Sequence, residues 1–197
     1  MSAQFWMIPV LFTVVALAAV AAVLVARSWP RTPDLTAEER AELADAPMPT
    51  LQKGAWVGLT LGLVTLAAAA TLITVRGGAM VYWVDDDLRL MVLGIFILGL
   101  AGTAAATNLP IARAEVGGRL DERDRAIVAR APTAQVTLAI LGLAAWLVVL
   151  GQRFHDEAAV PMVYLYLMFG CVILLVMIGQ SLGILLGYFA GGRHGET

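Results

Sequence analysis

Asp85-Asp86-Asp87 offers hard carboxylate oxygens of the kind calcium and magnesium take. A calcium loop, however, spaces its ligands alternately and includes a glycine. Consecutive acids on one helix point in different directions, so this run reads as a solvated helix start, its charges near the positive end of the helix dipole. His155-Asp156-Glu157 is the other cluster with possible chemistry, as a transition-metal or proton-handling group. One histidine beside one carboxylate is also an ordinary surface pairing. His194 lies in a glycine-rich tail. An intramembrane enzyme acting on lipids would have to draw its acids or histidine from these two loops.

Neither histidine falls at the depth where a membrane haem takes an axial ligand. The eight methionines are expected as packing in an apolar chain. The single lysine, Lys53, sits at the edge of an apolar run. Nucleophile elbow, phosphate loop, zinc spacing and dinucleotide glycines are all missing from the sequence. The expectation is a protein that is not an enzyme and has no cofactor or metal. No basic patch interleaves with aromatics, so nucleic acid is not an expected partner. A lone cysteine, Cys171, excludes an internal disulfide.

These residues sit in a chain that is 60% hydrophobic and only 14% charged, against about 25% charged in a typical soluble domain. Five runs lack Asp, Glu, Lys and Arg: about 4–26, 54–75, 90–112, 131–152 and 158–192. About 20 apolar residues in a helix cross a hydrocarbon core of about 30 Å. Lipid offers backbone groups no partners, which makes helices the natural spanning form. The first run has no positive region before it and its charges follow it, so it is expected as a retained span rather than a signal peptide.

Ionisable residues within spans usually mark ion or proton pathways, and these runs leave only uncharged polar side chains. They are Thr60, Thr65, Thr71, Thr103, Thr107, Asn108, Thr137, Gln180 and Ser181. Threonine and serine can satisfy their own helix backbone. Gln180 is the exception, because a buried amide can bond across a helix interface; an interhelical bond is expected there rather than a substrate contact. Next to it, Gly179, Gly183, Gly187 and Gly191 recur at four-residue spacing, and Gly58 and Gly62 repeat the pattern once. Residues four apart share a helix face, and small residues let helix backbones approach in lipid. These glycines are expected at helix contacts, within the chain or with a partner.

A repeat with an offset of 83 residues organises the chain. Glu38-Glu39-Arg40 matches Asp121-Glu122-Arg123, and Pro49-Thr50-Leu51-Gln52 matches Pro132-Thr133-Ala134-Gln135. The same offset matches Leu17-Ala18 to Leu100-Ala101 and Ala21-Ala22 to Ala104-Ala105. The unit is a membrane hairpin used twice. Short helices are expected in its two loops: one over 36–46, opened by Thr36-Ala37-Glu38-Glu39 and stopped before Pro47, and one over 121–130 with Asp121 as N-cap. The paired Glu39-Arg40 and Glu122-Arg123 are candidates to clamp each other, a lipid headgroup or a partner subunit; the alternative is plain charged surface.

Leu120-Asp121-Glu122-Arg123-Asp124-Arg125-Ala126-Ile127, followed by an apolar run, resembles small uncharacterised prokaryotic membrane proteins that carry an Asp-Glu-Arg-acid motif before a transmembrane helix. The resemblance covers about 35 residues and implies topology alone. The first copy, Glu38-Glu39-Arg40-Ala41, departs from the motif at its fourth position.

The loops 27–53 and 113–130, with Arg193, hold ten of the thirteen lysines and arginines. Cytoplasmic loops collect these residues, so the N-terminus is expected outside and the C-terminus inside. The aromatics agree: Trp6, Tyr82, Trp83, Tyr164 and Tyr166 fall towards the outer interface, Trp29, Trp56 and Tyr188 towards the inner one.

The sequence thus predicts an all-α integral membrane protein with five transmembrane helices, in a bacterial cytoplasmic (inner) membrane. Residues 1–76 form the first hairpin, 77–152 the second, parallel to it, and 153–197 the fifth helix and tail. The expected role is a non-catalytic accessory or scaffold subunit, packing against membrane lipids and other integral membrane subunits or a second copy. The alternative is a small oligomeric transporter or channel. That reading calls for Thr60, Thr65, Thr103 and Gln180 to converge on a cavity at the bilayer midplane.

Overall fold

A computed structural model of the chain describes residues 49–117, 120–157 and 159–192. The expected span at 4–26, the short helix at 36–46, and Glu39 and Arg40 lie outside the described residues. The described part is helical, with elements α1 (Thr50–Val75), α2 (Ala79–Val84), α3 (Asp86–Val116), α4 (Glu122–Arg153) and α5 (Met162–Gly192). Four of them, all but α2, are long and apolar enough to cross a membrane, with mean hydropathies of 2.0 to 2.5 over their most apolar windows.

Local chemistry sets the boundaries. Asp85 caps α3, its carboxylate accepting from Leu88 N at 3.0 Å, with Asp86 and Asp87 in the first turn. Asp121 caps α4 in the same way, accepting from Asp124 N at 2.6 Å. The cap at Asp121 was expected from its residue type; the run 85–87 was expected as a helix start, and the structure adds the cap by Asp85. Between α1 and α2 the chain turns on Gly77 and Gly78, at φ +112° and +93°. A side chain at either position would be strained, which is why glycine stands there. Pro161 directly precedes α5, where its missing N–H costs nothing.

One expectation is corrected. The short helix expected over 121–130 and the span expected at 131–152 are a single helix, α4, which runs through Pro132 without a break. Pro110 likewise lies inside α3. Proline removes one intrahelical hydrogen bond, but membrane helices tolerate it where neighbouring helices support the backbone. Ala131 and Ala134 flank Pro132 and are buried against α5; Pro110 packs against Gly54 of α1. The small α2 had no counterpart in the expected plan.

The packing order differs from the chain order. α5 touches α1, α3 and α4; α1 also touches α3; among the described helices α4 packs on α5 alone. The successive helices α3 and α4 are not in contact. At one end of the bundle a core gathers Ala69 and Ile73 of α1, Leu88 and Val92 of α3, Trp146 and Leu150 of α4, and Val163 and Leu167 of α5. At the other end it gathers Leu51 and Ala55, Ile111, Ile127 and Ala131, and Ile184, Leu185 and Tyr188. The first core joins the C-terminal halves of α1 and α4 to the N-terminal halves of α3 and α5; the second joins the opposite halves. So α1 and α4 run in one direction, α3 and α5 in the other. Leu138, Leu174, Leu175 and Ile178 fill the middle.

Candidate functional site

The expected glycine positions converge on the contacts of α5. A Cβ on Gly179 would lie 2.8 Å from Gln135 Cα and 3.0 Å from the Ala134 carbonyl oxygen; one on Gly183 would lie 2.9 Å from Ala134 Cβ and 3.0 Å from Ala131 Cα. These two glycines therefore set the backbone-to-backbone approach of α4 and α5. Gly187 continues the stripe as a buried residue, and Gly191 lies near the helix end. On α1, a Cβ on Gly62 would lie 2.5 Å from Ile178 Cγ1, and one on Gly58 would run into Thr107 Oγ1 and Ser181 Oγ. Gly58 thus stands where α1, α3 and α5 meet.

The bare surface at Gly58 makes room for a polar contact. Thr107 and Ser181 share a buried hydrogen bond of 2.9 Å between α3 and α5. One turn away, the Thr103 hydroxyl is fully buried and has no hydrogen-bond partner among the described residues. Nearby, Gln180 Nε2 donates to Asn108 Oδ1 at 2.7 Å, a second α3–α5 link. Gln180 thus bonds across a helix interface, at an exposed position and not a buried one. Amide and hydroxyl bonds of this kind contribute on average about 0.6 kcal/mol in membrane bundles.

The other threonine hydroxyls turn back on their own helices. Thr60 donates to the Trp56 carbonyl at 2.9 Å, Thr65 to Leu61 at 2.7 Å and Thr137 to Thr133 at 2.7 Å. Thr60 is exposed, while Thr65 faces Gly99 of α3. Thr60 and Thr65 thus bond their own helices, and Gln180 bonds Asn108 of α3. Among the described residues, an open groove on the bundle surface is apolar, lined by Val64, Ala67, Ala68, Thr71, Leu72 and Val75 of α1.

At the end shared by the N-termini of α1 and α4, the repeated motif meets α5. Tyr188 Oη donates to Asp124 Oδ1, and the Arg123 guanidinium lies over the Tyr188 ring, 5.6 Å from its centroid. Of the four expected motif residues, Arg123 is thus engaged with α5, Glu122 is exposed, and Glu39 and Arg40 lie outside the described residues. Sequence reasoning read Tyr188 as an interfacial anchor and missed its partners. The signal that was available is the acid at the fourth motif position, Asp124, present in the second copy and replaced by Ala41 in the first.

The two acidic loops lie at the opposite end. Arg89 pairs with Asp86 and donates to the Trp83 carbonyl at 3.1 Å. His155 pairs with Asp156 at 2.8 Å, both exposed, and its Nδ1 lies 3.2 Å from the Gln152 carbonyl. Among the described residues, no group of histidine, cysteine and carboxylate side chains is placed to hold a metal ion. Aromatic pairs mark both ends: Trp83 with Tyr166 (5.6 Å) and Phe154 with Tyr164 (5.0 Å) at this end, Trp56 with Phe189 (6.2 Å) at the other.

Comparisons of the chain with protein-family models, with curated proteins and with solved structures find no match.

Proposed function

We propose that this chain is a non-catalytic accessory or scaffold subunit of a larger integral membrane assembly, holding partner subunits and lipids through lateral helix packing. The observation that carries the reading is how the polar groups at membrane depth are used. Thr107, Ser181, Asn108 and Gln180 bind helix to helix, while Thr60, Thr65 and Thr137 bind their own helix backbones. That is the chemistry of a bundle built to be held together. With the glycine contacts spent inside the chain, the outward faces left for partners and lipids are large and apolar: Leu90, Leu93, Ile97 and Leu98 on α3, Ile140 and Leu147 on α4, Tyr166 and Phe169 on α5.

The reading includes five spans in a bacterial cytoplasmic membrane, the N-terminus outside and the C-terminus in the cytoplasm. Lys53, Arg113, Arg123, Arg125 and Arg130 cluster at one end of the bundle, against Arg76, Arg89 and Arg153 at the other. The bias matches the positive-inside rule.

Extraction in a gentle detergent, followed by identification of what co-purifies, tests the role. The expected result is a stable, defined set of membrane partners that loses integrity when this chain is deleted. A monodisperse homo-oligomer that catalyses solute flux in liposomes would contradict it and favour the transporter.

A further inference from the structure

We propose that Asn108 of α3 and Gln180 of α5 form the contact through which two copies of this chain pair side by side in the membrane. The proposal rests on α3 and α5 crossing the bilayer and on the hydrogen bond between these two side chains; it does not depend on the role proposed above.

A side-chain amide carries two donor hydrogens and an oxygen with two acceptor sites. Gln180 Nε2 spends one donor on Asn108 Oδ1 at 2.7 Å, and that bond is exposed on the surface of the bundle. Among the described residues nothing else bonds either side chain. Asn108 Nδ2 and Gln180 Oε1 therefore keep their capacity, one as donor and the other as acceptor. The midpoints of α3 and α5 fall at Ala101 and Met177. Along the helix axes Asn108 lies about 10 Å from the first and Gln180 about 5 Å from the second. Both stand within the half-thickness of a hydrocarbon core of about 30 Å, where lipid tails offer no hydrogen bond. Thr107 and Ser181 are the contrast: they are the chain neighbours of Asn108 and Gln180, join the same two helices and are buried. The polar link inside the bundle is already made there, so the outward amide pair is surplus to it.

A second copy supplies what is left over. Two chains inserted in the same direction are related by a twofold axis along the membrane normal, which keeps every residue at its own depth. Asn108 and Gln180 share a depth, because they are hydrogen-bonded to each other. The free donor of each copy therefore comes level with the free acceptor of the other, and two bonds form at once across the axis. The asparagine side chain is short, so the backbones must approach closely. α3 allows this: Ala101, Ala105 and Ala112 are exposed and share a helix face with Asn108. No charged residue falls between Leu90 and Ala112 to oppose the approach. The amides, and not the alanines, set the depth and register of the pair.

Full-length chains carrying a donor or an acceptor fluorophore at the C-terminus, reconstituted in phosphatidylcholine vesicles, report pairing by energy transfer as the protein-to-lipid ratio rises. Saturable transfer is expected, weakened about tenfold by Asn108→Leu with Gln180→Leu and abolished by Ala105→Trp. The tryptophan variant leaves both amides and their internal bond in place, so it keeps the test decisive if the double variant fails to fold. In native membranes, with Cys171→Ala, oxidation of Ala105→Cys or Ala112→Cys, about one turn to either side of Asn108, is expected to give a disulfide-linked dimer. Val64→Cys, on the exposed face of α1, is expected to give none. Transfer no greater than random proximity produces, transfer indifferent to both sets of substitutions, or cross-linking through position 64 and at neither 105 nor 112 would each overturn the proposal. The vesicles hold no partner subunit, so such a result would leave the accessory role standing.

Discussion

Tyr188 near the end of α5 donates its phenolic hydrogen bond to Asp124 in the first turn of α4, across 64 positions of sequence. Arg123, one residue earlier, lies over the same ring. Two helices that reach this end from different parts of the chain are thereby fixed at a charged boundary. A hydrogen bond to a carboxylate contributes more than a neutral one. Tyr188→Phe should therefore lower stability in detergent by about 1 to 2 kcal/mol, and Arg123→Ala by about 0.5 to 1 kcal/mol. In a double-mutant cycle, Tyr188→Phe and Asp124→Asn should couple. Additive losses would mean that the two side chains do not act on each other.

Gly179 and Gly183 face the backbone of α4, where nothing can move aside cheaply. Substitution of either by valine should destabilise the bundle by about 1 to 3 kcal/mol through overpacking. Gly94 and Gly151 are the internal controls, because a Cβ at either meets nothing within 4 Å. Alanine at those positions should be neutral or slightly stabilising. Thermal unfolding in one detergent separates the two classes, and equal tolerance at all four sites would contradict the assigned contacts.

The Thr107–Ser181 and Gln180–Asn108 bonds join the same two helices. Thr107→Val combined with Ser181→Ala should show a coupling of about 0.6 kcal/mol, and not above about 1.7 kcal/mol. Gln180→Leu should behave similarly against Asn108→Leu. Zero coupling in both cycles would show that α3 and α5 are held by shape alone.

Asp85 and Asp121 act as helix caps in the structure. Asp85→Ala and Asp121→Ala should each cost about 1 kcal/mol, whereas Asp87→Ala should cost much less. Calcium should leave the melting temperature of the wild-type chain unchanged. A calcium-dependent rise abolished by Asp86→Ala would instead make the acidic run a cation site.

Much of this architecture was legible in the sequence, for identifiable reasons. Run length and the absence of charge locate the long helices; Asp85 and Asp121 mark two starts; glycine spacing marks the α5 contacts. What was not legible depends on partners distant in the chain. Pro132 looks like a boundary on local rules, yet α4 continues because Ala131 and Ala134 are held against Gly183 and Gly179. The pairing of α3 with α1 and not α4 follows from Gly54, Gly58 and Gly99, whose contacts interlock only once the helices meet. Tyr188 looked like an interfacial aromatic because nothing local points it at Asp124.

Single cysteines at the four helix ends, in a Cys171→Ala chain, test the central claim most directly. In intact cells an impermeant maleimide should label Arg76→Cys and Arg153→Cys. It should reach Lys53→Cys and Arg123→Cys only after permeabilisation under the proposed orientation, in which α1 and α4 cross the bilayer in the same direction with their basic ends inside. Labelling of positions 53 and 123 from opposite faces of the membrane would contradict the account.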